Sequence, residues 1–254
     1  MSEPAVVTAA ILVIGNEILS GRTQDANVKF LATGLNEAGV RLKEVRVVPD
    51  DEVEIIEAVH ALRKKYDYLF TTGGIGPTHD DITAATMAKA FGVRLLRHPE
   101  AVERIRVQCE RAGIELNEAR LRMANIPEGA ELVENTVSGA PGFRMENVYV
   151  LAGVPMIVEA MFASLRHELT GGAPVMSRAL SVRLGEGTIA PLLTEVQDRY
   201  GDVDIGSYPS YRAGKFGVSV VCRTADAARL EACIAELDAG LRELGGTPEE
   251  EDLG

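Results

Sequence analysis

Tyr66-Asp67-Tyr68-Leu69-Phe70-Thr71-Thr72-Gly73-Gly74-Ile75-Gly76-Pro77-Thr78-His79-Asp80-Asp81-Ile82-Thr83 is the stretch that decides the fold. Residues 66–72 read as a short strand that runs directly into a glycine turn. A helix is expected from about residue 81 to residue 91. Glycine lets the backbone approach a ligand closely and adopt positive φ, so consecutive N–H groups can converge on an anion. No lysine stands where a Walker-type loop needs one, and the spacing is not GxGxxG, which disfavours a P-loop enzyme and a dinucleotide fold. The plain alternative is a tight strand-to-helix turn, with Thr78 and Asp81 forming a Thr-x-x-Asp capping arrangement. The adjacent carboxylates of Asp80 and Asp81 add a further chemistry. Their repulsion can be relieved by a divalent cation, which prefers oxygen ligands and phosphate oxygens. The plain alternative for Asp80 is a solvated helix-start residue.

Upstream, residues 6–14 form an apolar run ending at Gly15, which reads as a buried strand. Residues 25–38 carry Val28, Leu31, Leu35 and Ala38 at helical spacing and stop at Gly39. Residues 41–48 alternate as a strand before Pro49, and residues 53–65 place Ile56, Val59 and Leu62 on one helical face. Strand and helix alternate three times, which implies a parallel sheet with crossover helices. Ligands in such folds sit beyond the carboxyl ends of the strands. Three clusters fall at that edge: Gly15-Asn16-Glu17, Pro49-Asp50-Asp51 and residues 73–81, with Asn27 opening the next helix. Each alone is ordinary turn chemistry. Together they mark one crevice.

Downstream, residues 99–111 and 117–124 read as helices, 147–151 as a strand and 155–169 as a helix. Residues 138–143 and 151–155 read either as loops over the crevice or as ordinary loops, the second being a strand-to-helix joint with Pro155 near the first helical position. Gly171-Gly172-Ala173-Pro174 is a linker. After it, residues 179–184, 203–209 and 216–222 read as strands, the last two around a turn at residues 212–215. Residues 189–200 read as a helix, and Leu230, Ile234, Leu237, Leu241 and Leu244 form the stripe of a closing one. The expected organisation is a domain over 1–170, a small α+β domain over 175–246 and a solvated acidic tail over 247–254.

The 254 residues are 46% apolar and 25% charged, the composition of a globular chain long enough to bury a core. Twenty-six basic against 38 acidic residues give a net charge of −12, and aromatics are 5%. That balance argues against a nucleic-acid or anionic-membrane binder but permits a small anion held by backbone and metal. No membrane-length apolar run and no secretory pattern is read near the N-terminus. Cys109, Cys222 and Cys233 fit neither a zinc site nor a disulfide framework, so a reduced, cytoplasmic setting is expected. The exposed strand edges of the small domain suit self-association into a homo-oligomer.

Gly15-Asn16-Glu17-Ile18-Leu19-Ser20-Gly21, Asp25-Ala26-Asn27, the stretch 71–83, residues 139–143 and Gly153-Val154-Pro155 together resemble the MoaB/Mog molybdopterin-binding domain family. Their order is most similar to the N-terminal part of CinA-like (competence/damage-inducible) proteins. Gly185-Glu186-Gly187-Thr188-Ile189 and Ile205-Gly206-Ser207-Tyr208-Pro209 resemble the small domain that follows in them. The resemblance implies a three-layer α/β/α sandwich with a mostly parallel sheet and a ligand crevice at the carboxyl edge, followed by a small α+β domain. It implies molybdopterin or a related nucleotide as ligand. In CinA-like members it further implies a pyrophosphatase acting on ADP-ribose with a divalent metal (Mg, Mn or Co), and in a related domain of eukaryotic FAD synthases it implies FAD hydrolysis. Carried over residue by residue, Asp50 and Asp81 become the catalytic acids, while the adjacency of the Asp80 and Asp81 carboxylates makes these two the expected metal-holding pair. Gly15, Glu17, Asn27, Gly73, Gly74, Gly76, Pro77 and Thr78 become the substrate- and phosphate-binding set. Such proteins often read Thr where this chain has Asn16, and usually Pro where it has Ala152. They often carry a C-terminal nicotinamide-nucleotide amidase domain, which is not expected here. Two other functions stay open: a module that binds a pterin or nucleotide without reacting it, and adenylyl transfer to molybdopterin.

Overall fold

A computed structural model describes residues 6–212 and 215–252 of the chain. Its elements in chain order are β1 (Val7–Ile14), α1 (Asn16–Leu19), α2 (Asn27–Glu37), β2 (Val40–Val48), α3 (Glu52–Lys65), β3 (Tyr68–Thr72), α4 (Thr83–Phe91), β4 (Leu95–Arg97), α5 (Pro99–Ala112), α6 (Glu118–Arg122), β5 (Asn125–Pro127), β6 (Glu131–Val133), β7 (Gly142–Met145), β8 (Val148–Leu151), α7 (Pro155–Leu165), β9 (Met176–Val182), α8 (Glu186–Arg199), β10 (Asp204–Arg212), β11 (Lys215–Thr224), α9 (Ala227–Glu243) and β12 (Glu249–Glu251). The chain separates into two compact units, Met1–Gly172 and Ala173–Gly254. No helix of the described residues is long and apolar enough to cross a membrane.

The first unit is built on a six-stranded sheet of order β2-β1-β3-β8-β7-β6. The four strands from β2 to β8 are parallel, and β7 runs antiparallel to both β8 and β6. Alternation along β1 sorts its side chains to two faces. Ala10, Leu12 and Ile14 join a core with Ile55 and Leu62 of α3, Met87 of α4 and Ile105 of α5. Ala9, Ile11 and Val13 join a second core with Leu31 and Leu35 of α2 and Val158 and Phe162 of α7. The sheet is thus covered on both faces, the three-layer arrangement the resemblance implies. On α3 the buried face is Ile55, Ala58, Val59 and Leu62, so Ile56 sits beside the stripe and not in its centre.

Register aligns the carboxyl ends. Ile14 stands opposite Val48, Val13 opposite Thr72, and Thr72 opposite Leu151. The turns that follow these strands therefore open on one edge.

Three local expectations are corrected. The helix after the glycine turn begins at Thr83 rather than residue 81, and its cap position is Ile82, with no side-chain capping bond. The Thr78–Asp81 capping arrangement therefore does not form at that helix. The stretch 138–143 is not wholly loop, because Gly142–Met145 is a strand paired with β6 and β8. Strands of three or four residues are too short to show a period.

The second unit is an antiparallel sheet of order β10-β11-β9-β12, with α8 and α9 packed on its apolar face. Leu230, Ile234, Leu237 and Leu241 are buried as the stripe requires, while Leu244 is exposed just past the helix end. The acidic stretch expected to stay solvated keeps Glu249 and Glu250 exposed but also supplies an edge strand. Glu249–Glu251 pairs with Ser181, Leu180 and Ala179 of β9, and the Arg178 guanidinium donates to Glu250 at 2.8 Å. An open sheet edge offers backbone partners to any extended segment within reach. The cation beside it offsets the charge. Of the expected turn at 212–215, Ala213 and Gly214 lie outside the described residues. The Sγ atoms of Cys222 and Cys233 are 3.8 Å apart, both thiols free and buried.

Candidate functional site

Two backbone bonds carry the sheet one residue beyond its strands. Gly15 N–H donates to Val48 O at 3.1 Å, and Gly73 N–H to Leu151 O at 3.2 Å. Gly73 then turns with φ +103° and Gly74 with φ +68°. Glycine is required at both. A Cβ at position 73 would lie 2.1 Å from Ile14 O, and one at position 74 would lie 2.1 Å from Thr83 Oγ1. Buried Thr83 fastens the turn to α4: its hydroxyl donates to Gly73 O at 3.0 Å and its N–H to Gly74 O at 2.9 Å.

The rest of the loop is organised by Asp81. Its Oδ1 accepts from Gly76 N–H at 2.6 Å, and its Oδ2 accepts from Thr78 N–H at 2.7 Å and the Thr78 hydroxyl at 2.6 Å. The same hydroxyl lies 2.5 Å from Asp80 Oδ1. One hydroxyl proton serves both carboxylates, so Thr78 gathers the two acids around itself. The Thr78 hydroxyl, Asp80's own backbone N–H and neighbouring His79 hold the Asp80 carboxyl below the usual carboxylate range. Of the loop's N–H groups, those of Gly73, Gly76 and Thr78 are thus spent internally. Those of Gly74 and Ile75 take no acceptor among the described residues.

Asp50 lies partly buried after β2, and its Oδ2 accepts from Asn16 N–H at 2.9 Å, tying the second turn to the first. Asp51 caps α3 through Val53 and Glu54 N–H. Glu17 is exposed on α1, with its carboxylate folded back toward Gly15, whose Cβ, if present, would lie 2.6 Å from Glu17 Oε2. Asn27 is buried at the start of α2 and donates through Nδ2 to Gly153 O at 2.8 Å.

Two cavities flank the glycine turn. On the α2/α7 face, one of about 70 Å³ is lined by Glu17, Asp25, Asn27, Thr72, Gly73 and Gly153. On the α3/α4 face, one of about 80 Å³ is lined by Ile75, Gly76 and Asp81 with Leu95, Arg122, Asn125 and Phe143. The structure therefore brings Glu17, Asn27 and Gly73 to one cavity and Gly76 and Asp81 to the other. Asp50 lines neither of these two. Pro77, Thr78 and Asp80 stand on the exposed outer part of the loop.

Sequence reasoning missed Thr72 and, above all, Arg122 and Asn125, which come from α6 and β5 and carry no local motif.

 Leu95 and Phe143 join them there only through the pairing of β4 with β5 and of β7 with β8. Arg122 is among the residues that line the cavity with Asp81.

The fit of a divalent cation follows from the donor set. Among the described residues, no group of three or more His, Cys, Asp or Glu side chains is placed to hold a metal ion. Both oxygens of Asp81 are engaged by loop donors, and Asp80 is an exposed anion beside them. This does not make a closed protein cage. It does fit an ion of the magnesium class, which takes one or two carboxylates and completes its shell with water and substrate phosphates.

Comparison with known proteins agrees with this architecture. The family described as "probable molybdopterin binding domain" matches residues 10–170, and "FAD synthase, middle domain" matches residues 174–247. A protein of Aeropyrum pernix is 36% identical over 260 residues, which cover 96% of this chain and 97% of that protein. A probable FAD synthase of Caenorhabditis elegans is 34% identical over 261 residues, covering 92% of this chain and 50% of that protein. The crystal structure of the protein CinA from Thermoplasma acidophilum superposes with a TM-score of 0.59 at 33% identity, covering 64% of this chain and 98% of that one.

Proposed function

Because the chain belongs to the molybdopterin-binding domain family and continues into an FAD synthase-like middle domain, we propose that it is a metal-dependent nucleotide pyrophosphatase acting on ADP-ribose- or FAD-like substrates. The observation that carries this reading is the pair of cavities on either side of one glycine turn. A ligand of two halves joined by a pyrophosphate matches that layout, with one half on each face of the sheet and the phosphates over the turn. The Gly74 and Ile75 N–H groups are free to take phosphate oxygens there. Arg122 offers a positive charge on the same side as Asp81.

Hydrolysis adds water across the phosphoanhydride. The water oxygen bonds one phosphorus, the bridging oxygen leaves with the other, and two phosphomonoesters result. Negative charge grows on the phosphoryl oxygens, and fixed N–H dipoles and a guanidinium oppose it without rearranging. Asp80 and Asp81 would hold a divalent ion arriving with the substrate phosphates. When bound, such an ion polarises the phosphoryl group and makes water a better nucleophile. Asp81 also keeps the loop in shape, and Asp50 holds the neighbouring turn through Asn16.

A second reading, a module that binds a pterin or nucleotide without reacting it, is favoured by one observation. Both oxygens of the Asp81 carboxylate accept from loop donors, a duty that needs no turnover. One experiment separates the two. The purified protein is incubated with ADP-ribose, FAD, NAD and ATP, with and without Mg²⁺, Mn²⁺ or Co²⁺, beside Asp80→Asn and Asp81→Asn. Metal-dependent release of AMP that the variants lose supports the pyrophosphatase. Binding of a nucleotide or of molybdopterin with no product under any metal supports the module.

A further inference from the structure

The cavity on the α2/α7 face holds a hydroxyl that nothing in the fold uses. Thr72 is 1% exposed, and its Oγ1 has no hydrogen-bond partner among the described residues. A buried hydroxyl without a partner costs free energy, so its retention calls for a reason. Alternation along β3 sends Phe70 to the core of the α2/α7 face, and Thr72, two residues on, follows it to that side. There Thr72 lines the cavity.

Of the other polar side chains around it, Glu17, Asp25 and Asn27 offer acceptors, and Thr23 and Gln24 can both accept and donate. Asp25 spends Oδ1 on Val28 N–H at 2.8 Å and keeps Oδ2. Asn27 spends its amide N–H on Gly153 O and keeps Oδ1. The Glu17 carboxylate takes no hydrogen bond from the described residues. None of the described residues lining this cavity is Lys, Arg or His. A phosphate would meet uncompensated carboxylates here, whereas a neutral group rich in donors would be matched. Adjacent sugar hydroxyls are such a group, because carboxylates accept from ribose hydroxyls while a threonine hydroxyl can accept from one and donate to another.

Resting on the pyrophosphatase reading, we propose that this cavity takes the hydroxyl-bearing sugar of the substrate's non-adenine half, the terminal ribose of ADP-ribose or the ribityl chain of FAD. Thr72 is its positioning residue. The cavity lined by Leu95 and Phe143 is left for the heterocycle of the other half.

The test uses the full chain with Mn²⁺ and two ligands that cannot be hydrolysed, α,β-methylene ADP-ribose and α,β-methylene ADP, which lacks the terminal ribose. Affinity is measured by calorimetry for the wild type, Thr72→Val and Thr72→Ser. Thr72→Val should weaken the ADP-ribose analogue about tenfold, the loss of one hydrogen bond, and leave the ADP analogue unchanged. Thr72→Ser should restore the affinity. The melting temperature of Thr72→Val should not fall, because valine removes a hydroxyl that the fold leaves unpaired. Equal weakening of both ligands, or no change in either, overturns the assignment. A wild type that hydrolyses dinucleotides while Thr72→Val keeps full discrimination sinks this inference alone. A wild type that neither binds nor hydrolyses any of them sinks the pyrophosphatase reading and this inference with it.

Discussion

Replacing Asp81 by Asn tests whether this acid shapes the loop as well as serving the chemistry. The carboxylate accepts from Gly76 N–H, Thr78 N–H and the Thr78 hydroxyl, two donors at one oxygen and one at the other. Asparagine offers a single acceptor oxygen. Turned to keep both Thr78 donors, it aims its NH₂ at the Gly76 N–H, which then has no acceptor. Leaving a partly buried donor unsatisfied costs about 1–3 kcal/mol, so the variant should lose about 2 kcal/mol. In a unit of 172 residues that lowers the melting temperature by roughly 4–8 °C. Asp80→Asn removes the same charge from an exposed side chain that shares only the Thr78 hydroxyl, and should melt close to the wild type. Thermal denaturation followed by circular dichroism, at one pH and salt, reads both variants beside the wild type. An Asp81→Asn protein that melts with the wild type, or an Asp80→Asn protein that melts as low as Asp81→Asn, refutes the loop-shaping argument. Loss of turnover in both with loss of stability in only one is the expected result.

Gly73→Ala and Gly74→Ala should each cost at least about 2 kcal/mol and abolish nucleotide binding, since each methyl would meet an oxygen at 2.1 Å at a positive φ; a soluble variant of wild-type melting temperature would contradict this. Asn27→Ala deletes the buried bond to Gly153 O and should destabilise by about 1–3 kcal/mol in urea denaturation, with an unchanged midpoint as the contrary result. Hydrogen bonds from Arg46, Lys65 and Tyr66 lower the Glu44 carboxyl from 4.5 to about 2. Its stabilisation is complete above about pH 4.5 and disappears as pH falls through about 2. Glu44→Gln should therefore be less stable than wild type at pH 7, with the gap closing across that window; a gap that does not vary with pH would count against it.

Much of the first unit is legible in the chain because its signals are local. Val7–Ile14 is apolar throughout because both faces of the strand are covered. Gly73 and Gly74 mark the turn because glycine adopts their positive φ without strain. The site is legible only in outline, since residue type announces a carboxylate but not what it touches. Asp50 bonds a backbone N–H 34 residues away in sequence, and Asn27 a carbonyl 126 residues away. Asp81 reads locally as a helix cap, yet it turns back into its own loop because α4 starts two residues later. Glu249–Glu251 reads as a tail and becomes a strand because β9 presents an open edge. The sequence by itself determined the alternation of strand and helix and the glycine turn, both set by side-chain period and backbone sterics within a few residues. Only the tertiary structure decided that Thr72 shares a cavity with Glu17 and Asn27, and that Arg122 and Asn125 share one with Asp81. Strand order and register set those neighbours, and they act between residues far apart along the chain.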